Sequence, residues 1–398
     1  MCSDTDIGLL LKGGLLPDGG TADILIRDGK IAEISDGLAA PEGVREIDVA
    51  GRLVSPGLVN GHVHLDKTLL GAPWIPHIDG GTIAERIAAE KKIRARINTP
   101  LETRATALID LLTEQGTVAL RSHIDIDPEI GLTNLEVILA LREKMRERIS
   151  IQLVAFPQSG VRAAPGTAAL LEEALKLGVE TIGGLDPAAI DGDVEGQLDL
   201  VFDLAARYGA GIDIHLHDGG ELGIFELGQI ADRCRAQGLA GRVAVSHAYA
   251  LGMVAESDAA AMADQLARAG VAIMTSASEF GAMPRVKLML DCGVLVFAGS
   301  DGIRDAWSPF GNGDMLERAQ LIAYMSGMKS DADLLAAFAL ATQSAAQALG
   351  LEDYGLRAGN PADLVVFRAA SVQEAVVTHA PRELVIKGGR IRHKELDP

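Results

Sequence analysis

The sequence has 398 residues, of which 48% are hydrophobic and 23% are charged. This hydrophobic content excludes a disordered chain, and the length fits one large barrel with appendages better than several unrelated domains. Lys and Arg number 36 against 55 Asp and Glu, so the formal net charge of −19 disfavours nucleic acids and anionic membranes as partners.

The cysteines and the first residues bear on the cellular compartment. Cys2, Cys234 and Cys292 are far apart and form no CxxC motif or ligand cluster. No apolar run approaches the length of a membrane span, and the first residues lack the basic and apolar regions of an export signal. We therefore expect an acidic, soluble, cytoplasmic protein.

Both ends of the chain carry short alternating apolar runs that are broken by Gly and Asp. Residues 6–52 include DGKIAEI, and the tail after about Leu351 includes KGGRIRH; both patterns predict hairpins that turn at Gly. Neither end is long enough to close a sheet alone, so we expect the two to pair as a small β-sandwich domain. The predicted domain ranges are 1–52 and 351–398 for this sandwich, and 53–350 for the main domain.

Eight strand-like apolar runs alternate with helix-like segments between the two ends. Runs such as ISIQLVAF and VAIMT are typical of strands that are buried on both faces of a parallel sheet. Eight strand–helix units predict an α/β protein with a (β/α)8 TIM barrel. The runs are Leu53–His64, Val118–Asp127, Ile149–Gln158, Thr181–Pro187, Gly211–Asp218, Arg242–Tyr249, Val271–Ala277 and Leu295–Asp301.

Segments with helical periodicity lie between these runs. The sequence GTIAE at 81–85 predicts a capping box, with a helix that runs from there towards Asn98. The other predicted helices are Pro165–Gly178, Gly196–Tyr208, Glu221–Gln237 and Glu256–Ala269.

Histidines and one aspartate stand where several of the strands end. Alternate residues of a strand point to the same side, so His62 and His64 can converge on one metal ion. The C-terminal ends of barrel strands form the active-site face, and the fifth, sixth and eighth runs end there with further candidates. These are His215 and His217, His247, and Asp301. One such His would be an ordinary core residue, but the clustering favours a hydrolase that activates water at a metal ion.

The other histidines are weaker candidates. His123 lies towards the end of the second run, where it either supports the metal ligands or is an ordinary buried residue. His77, His379 and His393 do not lie at strand ends, and we take them as surface residues.

The order and spacing of these residues resemble the amidohydrolase superfamily along the whole chain, including its split flanking β domain. Within it, the sequence is similar to the cytosine deaminase subgroup and, more closely, to the N-isopropylammelide isopropyl amidohydrolase family of the s-triazine pathway. The motifs that carry the closer resemblance are VAFPQSG at 154–160, GGLDPA at 183–188, SDGIRDAW at 300–307 and PFGNGDM at 309–315.

The resemblance implies one divalent metal ion held by His62, His64, His215 and Asp301. Asp301 would also take the proton of the attacking water, and His247 would hydrogen-bond that water or the developing oxyanion. Zinc is the expected ion, with iron and manganese as alternatives. The segment Thr181–Pro187 contains no lysine that could be carboxylated to bridge two ions, which favours one ion over two.

Three further residues are candidates for substrate binding. Gln158 matches a glutamine that hydrogen-bonds the amide edge of the pyrimidine in cytosine deaminase, although a loop glutamine can also simply satisfy backbone groups. Lys67 matches the triazine enzymes and could bind a ring oxygen, with a plain surface lysine as the alternative. Trp307, beside Asp301, could stack on a planar ring.

The loop after the fifth run differs from cytosine deaminase. That family has Glu three residues after the strand-five His, whereas this sequence has Asp218, preceded by His217. Asp218 is one methylene shorter than Glu and therefore has a shorter reach towards the ring. Either His217 or Asp218 could handle the ring proton.

We therefore predict a hydrolase of C–N bonds, not peptide bonds, that acts on an amino- or alkylamino-substituted pyrimidine, triazine or pterin. Release of ammonia is the first interpretation and release of an alkylamine the second, with cytosine deaminase proper as an alternative. A non-catalytic barrel scaffold that keeps a metal site is an alternative of another class. A phosphate-binding isomerase or aldolase is a further one, but its Gly-rich loop and strand-end lysine or glutamate are not evident. The expected partner is a small heterocycle, and a homo-oligomer is left open.

Overall fold

The computed structural model describes residues 8–77, 81–277 and 282–395, and these form two eight-stranded sheets with helices around one of them. In chain order the strands of these ranges, β1 to β16, are Leu9–Leu15, Thr21–Arg27, Lys30–Ser35, Arg45–Asp48, Leu53–Pro56, Leu58–Val63, Thr117–Asp125, Ser150–Phe156, Thr181–Leu185, Gly211–Leu216, Val243–His247, Val271–Thr275, Val296–Ala298, Leu364–Phe367, Arg382–Lys387 and Arg390–Lys394. No helix in the described part of the chain is both long and apolar enough to cross a membrane.

Strands β6 to β13 form the barrel. Each pairs in parallel with the next along the chain, and every predicted run coincides with one of them to within one residue at its start or contains it whole. The side chains of these strands are almost all buried because helices cover the outside and a second core fills part of the inside. The predicted (β/α)8 barrel is confirmed.

The predicted helices are present between barrel strands, and further helices follow the last barrel strand, β13. In the described ranges, α1 to α13 are Ile83–Arg94, Leu101–Glu114, Thr133–Met145, Thr167–Lys176, Val194–Tyr208, Gly220–Ala236, Ala250–Met253, Glu256–Ala269, Val286–Asp291, Met315–Met325, Asp331–Leu340, Gln343–Ala348 and Val372–Thr378. The capping box at the start of α1 is confirmed: Glu85 N donates to Thr82 Oγ1 at 3.3 Å, and Thr82 N donates to Glu85 Oε2 at 2.7 Å.

The two chain ends form one sheet beside the barrel, in the order β16-β15-β14-β5-β1-β2-β3 with β4 also on β1. The predicted hairpins β2–β3 and β15–β16 are present. The run Leu53–His64, however, is two strands: β5 pairs with β14 of the end sheet, and only β6 belongs to the barrel. A buried apolar run looks the same in either sheet, so its pattern could not reveal this division at Gly57.

The barrel closes between its first and last strands, and this closure positions two of the predicted ligands. Asp301 N donates to His62 O at 2.9 Å, and Val63 and Asp301 form a parallel bridge. A Cβ atom at Gly299 would lie 2.4 Å from His62 Cβ, and one at Gly61 would lie 2.4 Å from the Phe297 ring. The two glycines are therefore required for the strands to approach this closely.

Candidate metal centre and active site

Four side chains from three barrel strands converge at the C-terminal end of the barrel. His62 Nε2 and His64 Nε2 are 3.3 Å apart, and His215 Nε2 lies 3.5 Å from His64 Nε2. Asp301 Oδ1 is 3.3 Å from His64 Nε2 and 3.6 Å from His62 Nε2. The structure thus brings together all four residues that the resemblance assigned to one metal ion.

The electrostatics of this cluster suit a cation. Burial and the neighbouring positive groups lower the pKa of His64, and burial and the other imidazoles lower that of His215 well below its usual range. Both rings are therefore neutral near pH 7, as metal ligation requires. His62, His64 and Asp301 offer ligand atoms close enough to share one ion, and His215 Nε2 lies next to His64 Nε2, so the four side chains fit a divalent ion between them.

Asp301 is held as a carboxylate. Burial acts to raise its pKa, but His247, His62 and His64 hold the pKa well below the usual range. Its Oδ2 atom points towards His247 Nε2 at 3.9 Å, whereas Oδ1 faces the other two rings. The two carboxylate oxygens thus face different side chains.

Several site residues have backbone conformations that are uncommon outside glycine. The φ angles are +33° for Asp186, +73° for His247 and +61° for Asp301, each at the C-terminal end of a barrel strand. Such left-handed conformations cost about 1–3 kcal/mol each and persist where the surrounding structure imposes them. Their concentration here supports an active site at this end of the barrel.

A cavity of about 420 Å³ opens above the cluster. This volume lies within the range of about 300–1,000 Å³ that is typical of small-molecule sites. The cavity wall includes apolar side chains, among them Phe156, Leu185 and Leu321, and polar ones, among them Lys67, Gln158 and His217. The arrangement suits a planar ligand with a few polar atoms.

Lys67 belongs to a buried charged network in this wall. Its Nζ atom is 3.1 Å from Asp125 Oδ1 and 3.6 Å from Glu90 Oε2, and it donates to Gln158 Oε1. Burial lowers its pKa, but Asp125, Glu90 and Asp66 outweigh that effect and raise it, so the side chain is a cation. The surface-lysine alternative does not apply, because the side chain is only 7% exposed.

The same network engages Gln158. Its Nε2 atom donates to Glu90 Oε2 at 3.2 Å and to Asp125 Oδ2 at 3.3 Å, which uses both N–H bonds of the amide. Its oxygen accepts from Lys67 and retains one lone pair. Gln158 can therefore accept a hydrogen bond from a ligand but has no free donor in this arrangement.

Trp307 lines the cavity and is fixed by two groups of contacts. Its Nε1 donates to Glu90 Oε2 at 2.5 Å, and its backbone N donates to Asp305 Oδ1 at 2.8 Å. His77 Nε2 lies 2.5 Å from the backbone oxygen of Asp305, so this half-buried histidine supports the loop of Trp307 rather than lying free on the surface.

His217 forms a dyad with Asp186. Asp186 Oδ2 lies 2.8 Å from His217 Nδ1, and Asp186 Oδ1 accepts from His217 N at 2.5 Å. Burial acts to lower the pKa of His217, but Asp186 and its hydrogen bond raise it overall. The ring also stacks on His247, with centroids 4.6 Å apart. His217 therefore lies in the cavity wall beside His247 with a fixed orientation.

Asp218 does not line the described cavity. Its carboxylate accepts from Ala189 N at 3.2 Å and lies against Glu226, a fully buried residue of α6 whose Oε1 accepts from Ala188 N at 2.9 Å. Burial, together with the charge of Asp218, raises the pKa of Glu226 to about 8. The two carboxyl groups thus share a hydrogen bond that requires one proton.

This pair makes protein stability depend on pH. The pKa of Glu226 is about 8 in the folded protein against an ordinary 4.5, so the folded state holds a proton that the unfolded state has lost. Stability contributed by this proton is therefore present below pH 4.5 and lost as the pH rises towards 8. In Glu226→Gln, the amide keeps both hydrogen bonds without a proton, and thermal unfolding scans should show a smaller fall in Tm between pH 6 and pH 9 than in the wild type.

Glu221→Gln, an exposed position on the same helix, is the matched control and should retain the wild-type slope. Equal slopes in wild type and Glu226→Gln would contradict the shared proton.

His123 is placed behind the cluster. Its ring stacks on His62 with centroids 3.9 Å apart, and both of its nitrogens lack a hydrogen-bond partner among the described residues. Burial and the nearby imidazoles lower its pKa well below the usual range, so it is a neutral ring that packs against His62.

Sequence reasoning missed the residues that orient the predicted ones. Asp125 and Asp186 end barrel strands, so the rule that found the histidines also applied to them. Glu90 and Glu226 lie on helices α1 and α6, where glutamate is common and nothing in the pattern distinguishes a buried one.

Comparisons with known proteins agree with this geometry. A profile of the amidohydrolase family matches residues 45–393. N-isopropylammelide isopropyl amidohydrolase of Pseudomonas sp. (strain ADP) is 34% identical over 98% of both chains. The crystal structure of N-isopropylammelide isopropylaminohydrolase from Burkholderia multivorans has a TM-score of 0.93 and 40% identity, covering 97% of this chain and 98% of the other. That of 5-methylcytosine deaminase from Klebsiella pneumoniae, with bound 5-fluorocytosine, has a TM-score of 0.88 and 27% identity, covering 98% of both. By the extent of these matches, the chain belongs to the amidohydrolase family.

Proposed function

We propose that this protein uses one metal ion to release an alkylamine from an oxo-substituted N-heterocycle of the triazine or pyrimidine type. As an amidohydrolase it is a hydrolase of C–N bonds in heterocycles. The observation that best supports the finer assignment is the convergence of His62, His64, His215 and Asp301 in a cavity whose wall also carries the Lys67–Gln158 pair.

We assign the metal position to these four residues and take zinc as the ion, because three imidazoles and one carboxylate are among its usual ligands. A divalent ion held there would supply hydroxide near neutral pH by lowering the pKa of water from about 15.7 to about 7.

Asp301 and His247 are proposed to manage the proton and the developing charge. The 3.9 Å between Asp301 Oδ2 and His247 Nε2 is too long for a hydrogen bond and leaves room for an oxygen atom next to both. Asp301 Oδ2 accepts the proton of the attacking water and returns it to the leaving nitrogen. Burial lowers the pKa of His247 well below its usual range, so its neutral ring donates one hydrogen bond to the oxyanion.

Lys67 and Gln158 are proposed to bind the ring edge together. The ammonium group donates to a ring carbonyl oxygen, and the remaining lone pair of Gln158 Oε1 accepts from the adjacent ring N–H. An –NH–C(=O)– edge has this donor and acceptor order. The pair therefore favours an oxo-substituted ring over one that carries only amino groups.

The leaving group is proposed to be an alkylamine because part of the cavity wall is apolar. Ala277, Phe310 and Leu321 offer contact area to an alkyl substituent but no hydrogen bond to an NH2 group. Two relatives that span nearly the whole chain are named for release of isopropylamine from N-isopropylammelide. Release of ammonia, as in the cytosine deaminase relative, is the second candidate.

A substrate panel tests this function. The zinc-loaded protein should release isopropylamine from N-isopropylammelide with a kcat/KM at least about tenfold above that for ammonia release from cytosine or a pterin. A higher kcat/KM for cytosine would replace the alkylamine assignment with deamination.

Metal removal tests the chemistry independently of the substrate. The variant with His62→Ala and His64→Ala should lose bound metal and turnover together, because half of the ligands are absent. His393→Ala in the end sheet is the matched control and should retain both. Metal content by elemental analysis and amine release are the two measurements, and turnover by a metal-free sample would overturn the proposal.

A further inference from the structure

A series of buried, hydrogen-bonded side chains extends from the four proposed metal ligands into the barrel interior. His62 Nδ1 is 2.9 Å from Ser246 Oγ, and Ser246 Oγ donates to Asp213 Oδ1 at 2.7 Å. Asp213 Oδ2 accepts from Arg121 Nη1 at 2.8 Å. All four side chains are at most 6% exposed, so water does not compete for these bonds.

The order of donors and acceptors along these hydrogen bonds is fixed. Arg121 has only hydrogen-bond donors, so Asp213 Oδ2 must accept from it. The other oxygen, Oδ1, is left to accept from Ser246 Oγ. Ser246 must therefore spend its one O–H on Asp213 and present a lone pair to His62. This lone pair requires a proton on His62 Nδ1, so a ring that binds a metal ion does so through the lone pair of Nε2, which faces His64 and Asp301.

Two further hydrogen bonds hold Arg121 in place, and they thereby maintain this order of donors and acceptors. Its Nε donates to Gln152 Oε1 at 2.7 Å, and its Nη2 donates to Ala348 O at 2.8 Å. The guanidinium group thus connects strands β7 and β8 and helix α12 to Asp213 on β10. On the other side of His62, the stacked ring of His123 restricts rotation of the imidazole.

We propose that Ser246 and Asp213 are positioning residues that select the Nδ1–H tautomer of His62 and thereby raise the affinity of the site for its metal ion. This inference rests on the proposed metal site but concerns residues that do not contact the ion. Partners of this kind typically change metal affinity by about 10- to 100-fold. The alternative is that the two residues only fill the interior of the barrel.

Metal affinity provides the first test. The metal-free wild type, Ser246→Ala and Asp213→Asn are titrated with zinc in the presence of a competing chelator. Both variants should bind zinc about 10- to 100-fold more weakly, while Ser246→Thr, which keeps the hydroxyl, should stay close to the wild type. Ser55→Ala, a fully buried serine of the end sheet, is the control for loss of a buried hydroxyl and should not change affinity.

The tautomer itself provides a second test, in which the measured protein is the wild type and an altered chain serves only to assign the signal. In the zinc-loaded wild type with 15N-labelled histidine, two-bond 1H–15N spectra should show His62 protonated on Nδ1, with the signal assigned by its loss in His62→Asn. A proton on Nε2, or zinc affinities of Ser246→Ala and Asp213→Asn within about twofold of the wild type, would overturn this inference. A wild type that binds no zinc would instead refute the proposed metal site.

Discussion

Asp301→Asn is expected to lower kcat/KM by about 10³-fold or more at saturating metal, because the amide cannot accept the proton of the attacking water. Asparagine keeps an oxygen in the position of Oδ1, which faces His62 and His64, so the metal should remain bound at high concentration. Amine release and metal content measured on the same sample separate the two effects.

Asp218→Asn is the matched control for this prediction. Asp218 is also a carboxylate beyond a barrel strand, but it lies against Glu226 outside the described cavity. Its substitution should reduce kcat/KM by less than about tenfold. Near wild-type turnover by Asp301→Asn would show that another group is the base.

Lys67→Met is expected to reduce both stability and substrate binding. Lys67 neutralises Asp125 and Glu90 in a buried network, and removing one partner of such a pair typically costs about 3–5 kcal/mol of unfolding free energy. Burial already raises the pKa of Asp125 well above its usual range, and loss of the ammonium group raises it further. Urea denaturation measures the stability, and KM for an oxo-substituted ring should rise because the donor to the ring oxygen is lost.

Two companion variants make this result specific. Lys67→Met combined with Asp125→Asn should recover part of the stability, because one fewer carboxylate is left unpaired. Lys91→Met removes a lysine from the more exposed ion pairs with Asp127 and Glu129 and should cost less than about 1 kcal/mol. Equal losses in Lys67→Met and Lys91→Met would contradict a buried charge network.

The predicted site and the observed one agree most closely where the residues lie on a strand or directly follow it. His62 and His215 lie on β6 and β10, and His64 directly follows β6, so strand alternation sets their side-chain directions and their convergence follows once the barrel order is known. Asp218 and Gln158 lie beyond strand ends, where alternation no longer determines direction. Asp218 turned towards Glu226, and Gln158 placed both of its N–H bonds on carboxylates.

The division of the first run has a related cause. Residues of β5 and β6 are buried to the same extent, and β5 belongs to the end sheet because it pairs with β14 about 300 residues later in the chain. Local periodicity carries no information about such distant pairing. The predicted hairpins, by contrast, are turns between neighbouring strands and were confirmed.

The barrel, the end hairpins and the strand-end imidazoles could be predicted from the amino-acid sequence, because periodicity and turn residues act over a few neighbouring positions. The carboxylates that orient these groups are visible only in the folded protein: Asp186 on His217, Glu90 and Asp125 on Lys67, and Asp213 through Ser246 on His62. These partners are 23 to 184 residues apart in the chain and meet because closing the barrel brings its strands, and helix α1 beside them, together. A buried charge or imidazole requires a charged or hydrogen-bonding partner. Which residue becomes that partner is decided only when folding brings distant parts of the chain together.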